Sequence, residues 1–589
     1  MIANLRQFIE LLRAEKEIVE IEAPVDPRLE AAEIHRRIIA QEGPALLFKN
    51  ITGASFPLVT NLFGTKRRME LAFGKRPEDI VRQIAALPHT IMPPSASKIW
   101  SHRSLLWSLA KIGMKRVSSS APILQNVSKP PALMRLPLLT TWSLDGGPFI
   151  TLPLVYTEHP GDGSHNLGMY RMQRFNDETT GLHCQIGKGG GFHLAAAKER
   201  GQKLPVNVFI GGPPALMLAA IAPLPENVPE LMLASLVAGH KLALAKSRAG
   251  SLPLLAEAEF ALVGEVDPNE MRPEGPFGDH YGYYSLRHDY PVFRCKALYH
   301  RDNPIFTATV VGKPRQEDFF IGDYLQELLS PLFPVVMPSV VDLWSYGETG
   351  YHSLAAAVVR QRYRREAMVS AFRILGEGQL SLTKFLLVTD QRIDLRNFKS
   401  VLEHVLERCD FHTDLYVFSN LAMDTLDYTG PKVNEGSKGV MLGLGKPLRV
   451  LPAEYRGEVP PEIKKVEVFC RGCLVVEGGS FEHRPGLGEE IVKYDGFAEW
   501  PLIVLVDNAR AAVANSSSFL WTTFTRFEPA ADIKANHTEV VRNHLSFFRP
   551  ILIDARMKPS YPEELECDQE TRELVDKRWN EYFPDVTTI

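Results

Sequence analysis

Over the first hundred residues the apolar positions switch between helical and strand periods. Leu5, Phe8, Ile9 and Leu12 fall on one helical face, which predicts a helix to about Glu15. Residues 17–22 (Glu-Ile-Val-Glu-Ile-Glu) alternate as a strand does. Asp26-Pro27 has the form of a helix start, aspartate as N-cap and proline at the first helical position, and Ile34, Ile38 and Ile39 follow on one face. Residues 45–48 and 57–60 predict short strands, and Pro93-Pro94-Ser95 ends the pattern. A linker helix is expected over about 99–115.

From about Ala121 to Gly312 the pattern is mostly strand. Residues 205–210, 254–263, 291–299 and 304–311 are apolar, β-branched or alternating, with turn residues between them. Two helices interrupt, over 213–222 and 226–238. Six or more strands around a helical insertion predict a barrel-like sheet, and no strand leads into Gly-x-Gly-x-x-Gly and a helix, which excludes a Rossmann-type dinucleotide site. A helix near 319–333 leads to an α/β region with an internal similarity. Residues 384–390 (Lys-Phe-Leu-Leu-Val-Thr-Asp) precede a helix over 401–408, and residues 501–507 (Pro-Leu-Ile-Val-Leu-Val-Asp) precede one over 519–526, the pattern a duplication leaves. The tail from Ser560 is polar and charged.

Composition narrows the class. The 589 residues allow three or four domains at about 150 residues each. A net charge of −4 exerts no global pull toward nucleic acid or membrane. The basic stretch 98–116 interleaves Trp100, Leu105, Leu106, Trp107 and Leu109, and reads as an amphipathic helix packed on a neighbour. No apolar run approaches the ~18–20 residues that span a bilayer. Six cysteines make no disulfide framework, so a reducing cytoplasm is expected, and the lone Cys470-x-x-Cys473 lacks the second pair of a zinc ribbon.

The chemistry gathers in the central region. Asn166-Leu-Gly-Met-Tyr-Arg171 leads through a polar turn to Gly-Leu-His183-Cys184-Gln185-Ile-Gly187-Lys188-Gly189-Gly-Gly. Glycines let backbone N–H groups approach an anion and a lysine adds charge, so this segment is a candidate wall for a phosphate-bearing cofactor; an exposed glycine turn is the plain alternative. Glu230 opens an apolar helix behind Pro223, Pro225 and Pro229. Glu274-Gly-Pro-Phe-Gly-Asp279-His-Tyr-Gly-Tyr-Tyr sets two acids on a rigid loop among aromatics, where an acid against apolar groups holds its proton and an acid facing arginine stays ionised. Acids that merely cap backbone N–H groups would also fit.

Asn-x-Gly-x-Tyr-Arg at 166–171 and Glu-Gly-Pro-Phe-Gly-Asp at 274–279 resemble the two signature stretches of the UbiD family, together with Asp26-Pro-Arg-Leu-Glu and Pro223-Leu-Pro. The resemblance runs to about Leu451. It implies reversible decarboxylation of aromatic or α,β-unsaturated acids with prenylated FMN as the electron sink. It also implies an N-terminal α/β domain with linker helix (1–120), a split β-barrel flavin-binding catalytic domain (121–325) and a C-terminal α/β oligomerisation domain (326–455). An extension (456–589) has the pattern of a second α/β unit. By the same resemblance Asn166 and Glu230 are metal ligands for Mn²⁺ or Mg²⁺, with K⁺ or Na⁺ nearby. The cofactor is expected to touch Asn166, Met169, Tyr170, Arg171, His183, Cys184, Gln185, Lys188, Gly189 and, more loosely, Lys438.

Arg171, Glu274 and Asp279 match the family's catalytic network, with Asp279 as proton donor and Glu274 held by Arg171. Gly187 departs from the family, which carries a metal-binding histidine there; His183 or His193 is the expected substitute. The long form resembles members of ubiquinone or menaquinone biosynthesis, so a hydroxybenzoate or hydroxynaphthoate substrate is implied. Another aromatic or acrylic acid, or a non-catalytic flavin-binding homologue, are the alternatives. A flavin prenyltransferase as cofactor supplier, a homodimer or homohexamer, no nucleic-acid partner, and peripheral membrane association if the substrate is prenylated complete the expectations.

Overall fold

The computed structural model describes residues 2–117, 120–184, 189–224, 228–313 and 315–584. The chain folds as two units, Met1–Leu328 with Glu564–Ile589, and Leu329–Glu563.

In the first unit the N-terminal pattern gives helix Leu5–Ala14, whose Leu5, Phe8, Ile9 and Leu12 are buried, and a four-stranded sheet ordered Ile18–Ile21, Ala45–Phe48, Leu58–Thr60, Phe306–Thr307. Three expectations change here. The second helix is Glu30–Ala40, not one begun at Asp26: Asp26 Oδ1 instead accepts from Arg28 N, and Leu29 precedes the helix at positive φ. The linker helix is two short ones, Ala96–Ser101 and Arg103–Ala110, followed by strand Met114–Arg116. The strand expected over 304–311 joins the N-terminal sheet, because Phe306 and Thr307 pair in parallel with Leu58 and Val59.

The central sheet runs Thr179–Gly181, His288–His300, Phe260–Glu274, Leu204–Ile210, Leu154–Glu158, His165–Gly168, antiparallel throughout, with Asn126–Ser128 also on His288–His300. It does not close on itself, which is the split-barrel arrangement. Helices Pro214–Ile221 and Glu230–Ala238 are the insertion. The tail ends in helix Gln569–Tyr582, which packs on Glu30–Ala40 and brings Arg578 and the Tyr582 hydroxyl to Glu30.

The second unit contains one arrangement twice. Its sheets run Val340–Ser345, Leu354–Val359, Phe385–Thr389, Glu435–Gly443, Leu415–Ala422 and Lys465–Cys470, Cys473–Glu477, Leu502–Val506, His544–Asp554, Ile533–Val541. In both, the outer pairs are antiparallel and the inner pairs parallel. Helices Glu366–Leu375 and Leu487–Ile491 cover the outward faces. Helices Phe398–Arg408 and Ser516–Arg526 share the core between the sheets, where Phe469 stacks on Phe519 at 3.6 Å. The two strand–aspartate–helix segments noticed in the sequence occupy equivalent places. Cys470 and Cys473 face each other across a tight hairpin as free, buried thiols.

Candidate active site

Strand His165–Gly168 sets Asn166 directly opposite Thr157. A Cβ on Gly168 would lie 2.3 Å from the Tyr170 ring, so glycine lets that ring fold back over the strand. The Tyr170 hydroxyl accepts from Gly190 N at 3.2 Å and Asn166 Nδ2 at 3.4 Å, and burial raises its pKa. Gly189 and Gly190 open helix Gly189–Glu199 against this pair: a Cβ on Gly189 would sit 2.0 Å from Asn166 Oδ1, and one on Gly190 would crowd Tyr170 and Cys184. Glu230, first residue of its helix, accepts from Leu167 N at 2.9 Å through Oε2; burial raises its pKa and that N–H works against the rise. The Asn166 amide oxygen stands on this strand and the Glu230 carboxylate bonds the next residue's N–H, and both are hard oxygen donors of the kind that suit Mn²⁺ or Mg²⁺. Among the described residues no three His, Cys, Asp or Glu side chains form a metal cluster.

The two histidines weighed as substitutes for a ligand at 187 divide. His183 Nδ1 is committed to Glu274 Oε1 at 3.0 Å, its ring tilted on Tyr290 at 4.1 Å. His193 Nδ1 bonds Oγ1 of Thr157, the residue facing Asn166, at 2.8 Å. Burial brings the His193 pKa down to about 4, so the ring is neutral and able to ligate.

The acids stand on the hairpin between the two longest strands. Glu274 ends Phe260–Glu274, and Asp279 lies in the connecting loop. Gly275 adopts φ 91°, open to glycine, and Gly278 presses on Trp142, where a Cβ would lie 2.1 Å from the indole. Asp145 Oδ1 accepts from Gly278 N and Gln173 Oε1 from Gly275 N, both at 2.8 Å. The held loop aims both carboxylates at Arg171. Nε donates to Glu274 Oε1 at 3.1 Å, Nη1 pairs with Asp279 Oδ2, and Nη2 donates to Ser285 Oγ at 3.0 Å. The guanidinium lies 4.6 Å over the Phe277 ring.

Arg171 therefore reaches both acids. Burial opposes ionisation of Asp279, but Arg171 and His280, whose Nδ1 lies 2.6 Å from Oδ1, hold its pKa well below the usual carboxylate range. Glu274 Oε2 is buried without a hydrogen-bond partner, and Gly181 faces it closely: a Cβ there would come within 2.8 Å. Asp318 lies within electrostatic reach of His280 and Asp279, and burial raises its pKa to about 6.

Of the remaining predicted contacts, Met169 lies half-buried between Gly168 and Tyr170, and burial pushes the Cys184 thiol up to about 12, so it is no nucleophile. Gln185, Gly187 and Lys188 lie outside the described residues. Lys438 belongs to the second unit, where Nζ donates to Thr383 O at 2.8 Å and burial lowers its pKa to about 8. Sequence reasoning passes over Ser285, His280, Gln173, Asp145 and Asp318. Only His280 carries a local signal, as a titratable group beside Asp279.

Family models described as the N-terminal, Rift-related and C-terminal domains of 3-octaprenyl-4-hydroxybenzoate carboxy-lyase (UbiD) match residues 9–87, 115–314 and 319–443. A Chlamydia pneumoniae protein named as a subunit of 4-hydroxybenzoate decarboxylase is 51% identical, covering 99% of both chains. Vanillic acid decarboxylase of Sedimentibacter hydroxybenzoicus matches with TM-score 0.67 at 24% identity, over 78% of this chain and 96% of its own. The UbiD-class enzyme HmfF from Pelotomaculum thermopropionicum, in an evolved dimeric form in complex with prFMN, matches with TM-score 0.62 at 22% identity, over 78% and 97%. At these identities the two structures speak to the fold.

Proposed function

The chain belongs to the UbiD family of carboxy-lyases, and we propose that it reversibly decarboxylates a hydroxybenzoate or hydroxynaphthoate of quinone biosynthesis, using prenylated FMN and a divalent metal. The observation that carries this reading is the buried triad in which Arg171 holds Glu274 and Asp279, a few residues along the chain from Asn166 and from Leu167, whose N–H bonds Glu230. A scaffold without turnover has no need to bury two carboxylates on one guanidinium.

The residues present fit the cofactor. The unpartnered Glu274 Oε2 awaits a donor, and the glycines at 189 and 190 give close backbone approach. Asn166 and Glu230 would hold the metal against the cofactor phosphate, with His193 as a third ligand, and Tyr170 and His183 would line the cofactor. Bound there, prenylated FMN would supply the electron sink for loss of CO₂. The chain orients and handles protons. Arg171 binds the incoming carboxylate and shares its charge among three anions, which eases Asp279 toward accepting a proton from solvent water. Asp279 Oδ2 then delivers that proton to the carbon left behind, while His280 fixes Oδ1. Glu274, anchored by Arg171 and His183, keeps the guanidinium in plane.

Co-expression with a flavin prenyltransferase, mass spectrometry of the released cofactor, and CO₂ release from hydroxybenzoates, naphthoates and cinnamates test the reading. Prenylated FMN with release from a hydroxylated aromatic acid is expected. Turnover with plain FMN alone would overturn it.

A further inference from the structure

The fold holds residues 92–116 at Leu105 and at strand Met114–Arg116, which pairs in parallel with Leu242–Leu244, and the site uses none of them. Between residues 80 and 144 the chain has no aspartate or glutamate and eight lysines and arginines, within a protein of net charge −4. The apolar face expected to pack on a neighbour is instead largely exposed. In helices Ala96–Ser101 and Arg103–Ala110 only Leu105 is buried. Trp100 and Trp107 are 70% and 71% exposed, and Met92, Ile99 and Leu106 are exposed beside them. Arg103 lies over the Trp100 ring, and Lys111, Lys115 and Arg116 continue the cationic surface.

Solvent-exposed side chains of this size, gathered in one short stretch, mark an interaction surface. The mixture selects the partner. Tryptophans prefer the headgroup layer of a bilayer, aliphatic side chains enter the acyl boundary, and lysine and arginine pair with anionic lipid. A phosphate backbone would use the cations but has no place for Met92, Ile99 and Leu106. No helix among the described residues is long and apolar enough to cross a membrane, so the segment would lie on the surface rather than span it. We propose that residues 92–116 dock the protein onto an anionic membrane surface. The inference does not rest on the decarboxylase reading, although it would bring such an enzyme to a membrane-held substrate.

The test is flotation of the full chain with vesicles of phosphatidylglycerol and phosphatidylcholine, against phosphatidylcholine alone. Binding to the anionic vesicles only, released by raised salt, is expected. The double variant Trp100→Ala/Trp107→Ala should lower partitioning by about tenfold or more, with an unchanged melting temperature because both indoles are already in solvent. Absence of binding, equal binding to neutral vesicles, or undiminished binding by the double variant would each overturn the proposal. So would a change in self-association of the variant without vesicles, which would make this face a contact between copies of the chain.

Discussion

Two buried arginines divide this protein into what is closed and what is left open. Arg556, in the second unit, gives Nε and Nη2 to the two oxygens of Asp554 at 2.9 and 2.7 Å, and Nη1 to the carbonyls of Gly479 and Arg484. One cation meets one anion, and each guanidinium nitrogen is hydrogen-bonded. Arg171 is as well anchored, yet it faces two carboxylates, and Glu274 Oε2 has no partner. An excess of buried negative charge costs folding energy unless something else offsets it. The contrast teaches where to look for chemistry: a satisfied ion pair serves the fold, and an unbalanced one is held for a ligand or a proton.

Removing the two guanidiniums should therefore fail in different ways. Arg171→Ala should cut CO₂ release of cofactor-loaded enzyme by ~10²–10⁴-fold, and Asp279→Asn and Glu274→Gln by similar factors, since general acid–base groups contribute on that scale. Cofactor content of Asp279→Asn should stay largely intact. Turnover within a few-fold of wild type in all three would mean that the acids are structural.

That contrast is half legible in the sequence. Arg171, Glu274 and Asp279 can be named because each stands in a short run of glycines and aromatics with a recognisable order. The helix faces and most strands follow from periodicity, and even the duplication shows, because a strand ending in aspartate before a helix occurs at both Asp390 and Asp507. What stays hidden depends on contacts remote in the chain. Asp145 and Gln173 brace the loop from other elements, and Asp318 comes from helix Glu317–Leu329. The second helix starts later than its proline suggests because Asp26 turns its carboxylate to a local backbone N–H instead of capping. The stretch 98–116 does interleave apolar and basic residues, but periodicity cannot tell whether protein buries the apolar ones, and here most are exposed.

Arg556→Ala should destabilise the protein by about 3–5 kcal/mol in denaturant unfolding, as stranding a buried carboxylate does. Activity per folded molecule should not change. Replacing Arg556 and Asp554 together by apolar residues of like size should recover much of that loss, because a closed pair contributes little beyond its own desolvation. A double variant no better than Arg556→Ala would show that Asp554 does more than balance charge.

Acid should separate the regions further. Asp279 has a native pKa below its unfolded value, so its ionised form stabilises the fold. That contribution is complete above the ordinary carboxylate pKa of about 4. It fades as the pH falls below that point and is gone once the pH passes the lowered native value. The stability gap between wild type and Asp279→Asn, followed by urea unfolding, should be constant near neutrality and close in acid. A gap that persists unchanged would mean that Arg171 does not hold the carboxylate in solution.

The finest test concerns the oxygen-lined corner rather than the triad. Gly189 is the first residue of helix Gly189–Glu199, where alanine is conformationally acceptable and should cost nothing or gain up to about 1 kcal/mol. The obstacle is space, because the new Cβ would lie 2.0 Å from Asn166 Oδ1 and the amide must turn away. If Asn166 is a metal ligand, Gly189→Ala should weaken Mn²⁺ binding by about ten- to a hundredfold, the range seen when a ligand's support is disturbed. Metal content after gel filtration and calorimetric titration would measure this, with Asn166→Ala beside it as the full loss. Retention of Mn²⁺ by Gly189→Ala at the wild-type level, while Asn166→Ala loses it, would show that the amide reaches the ion from its displaced position. Equal retention by both would take Asn166 out of the metal site and leave Glu230 and His193 to hold it.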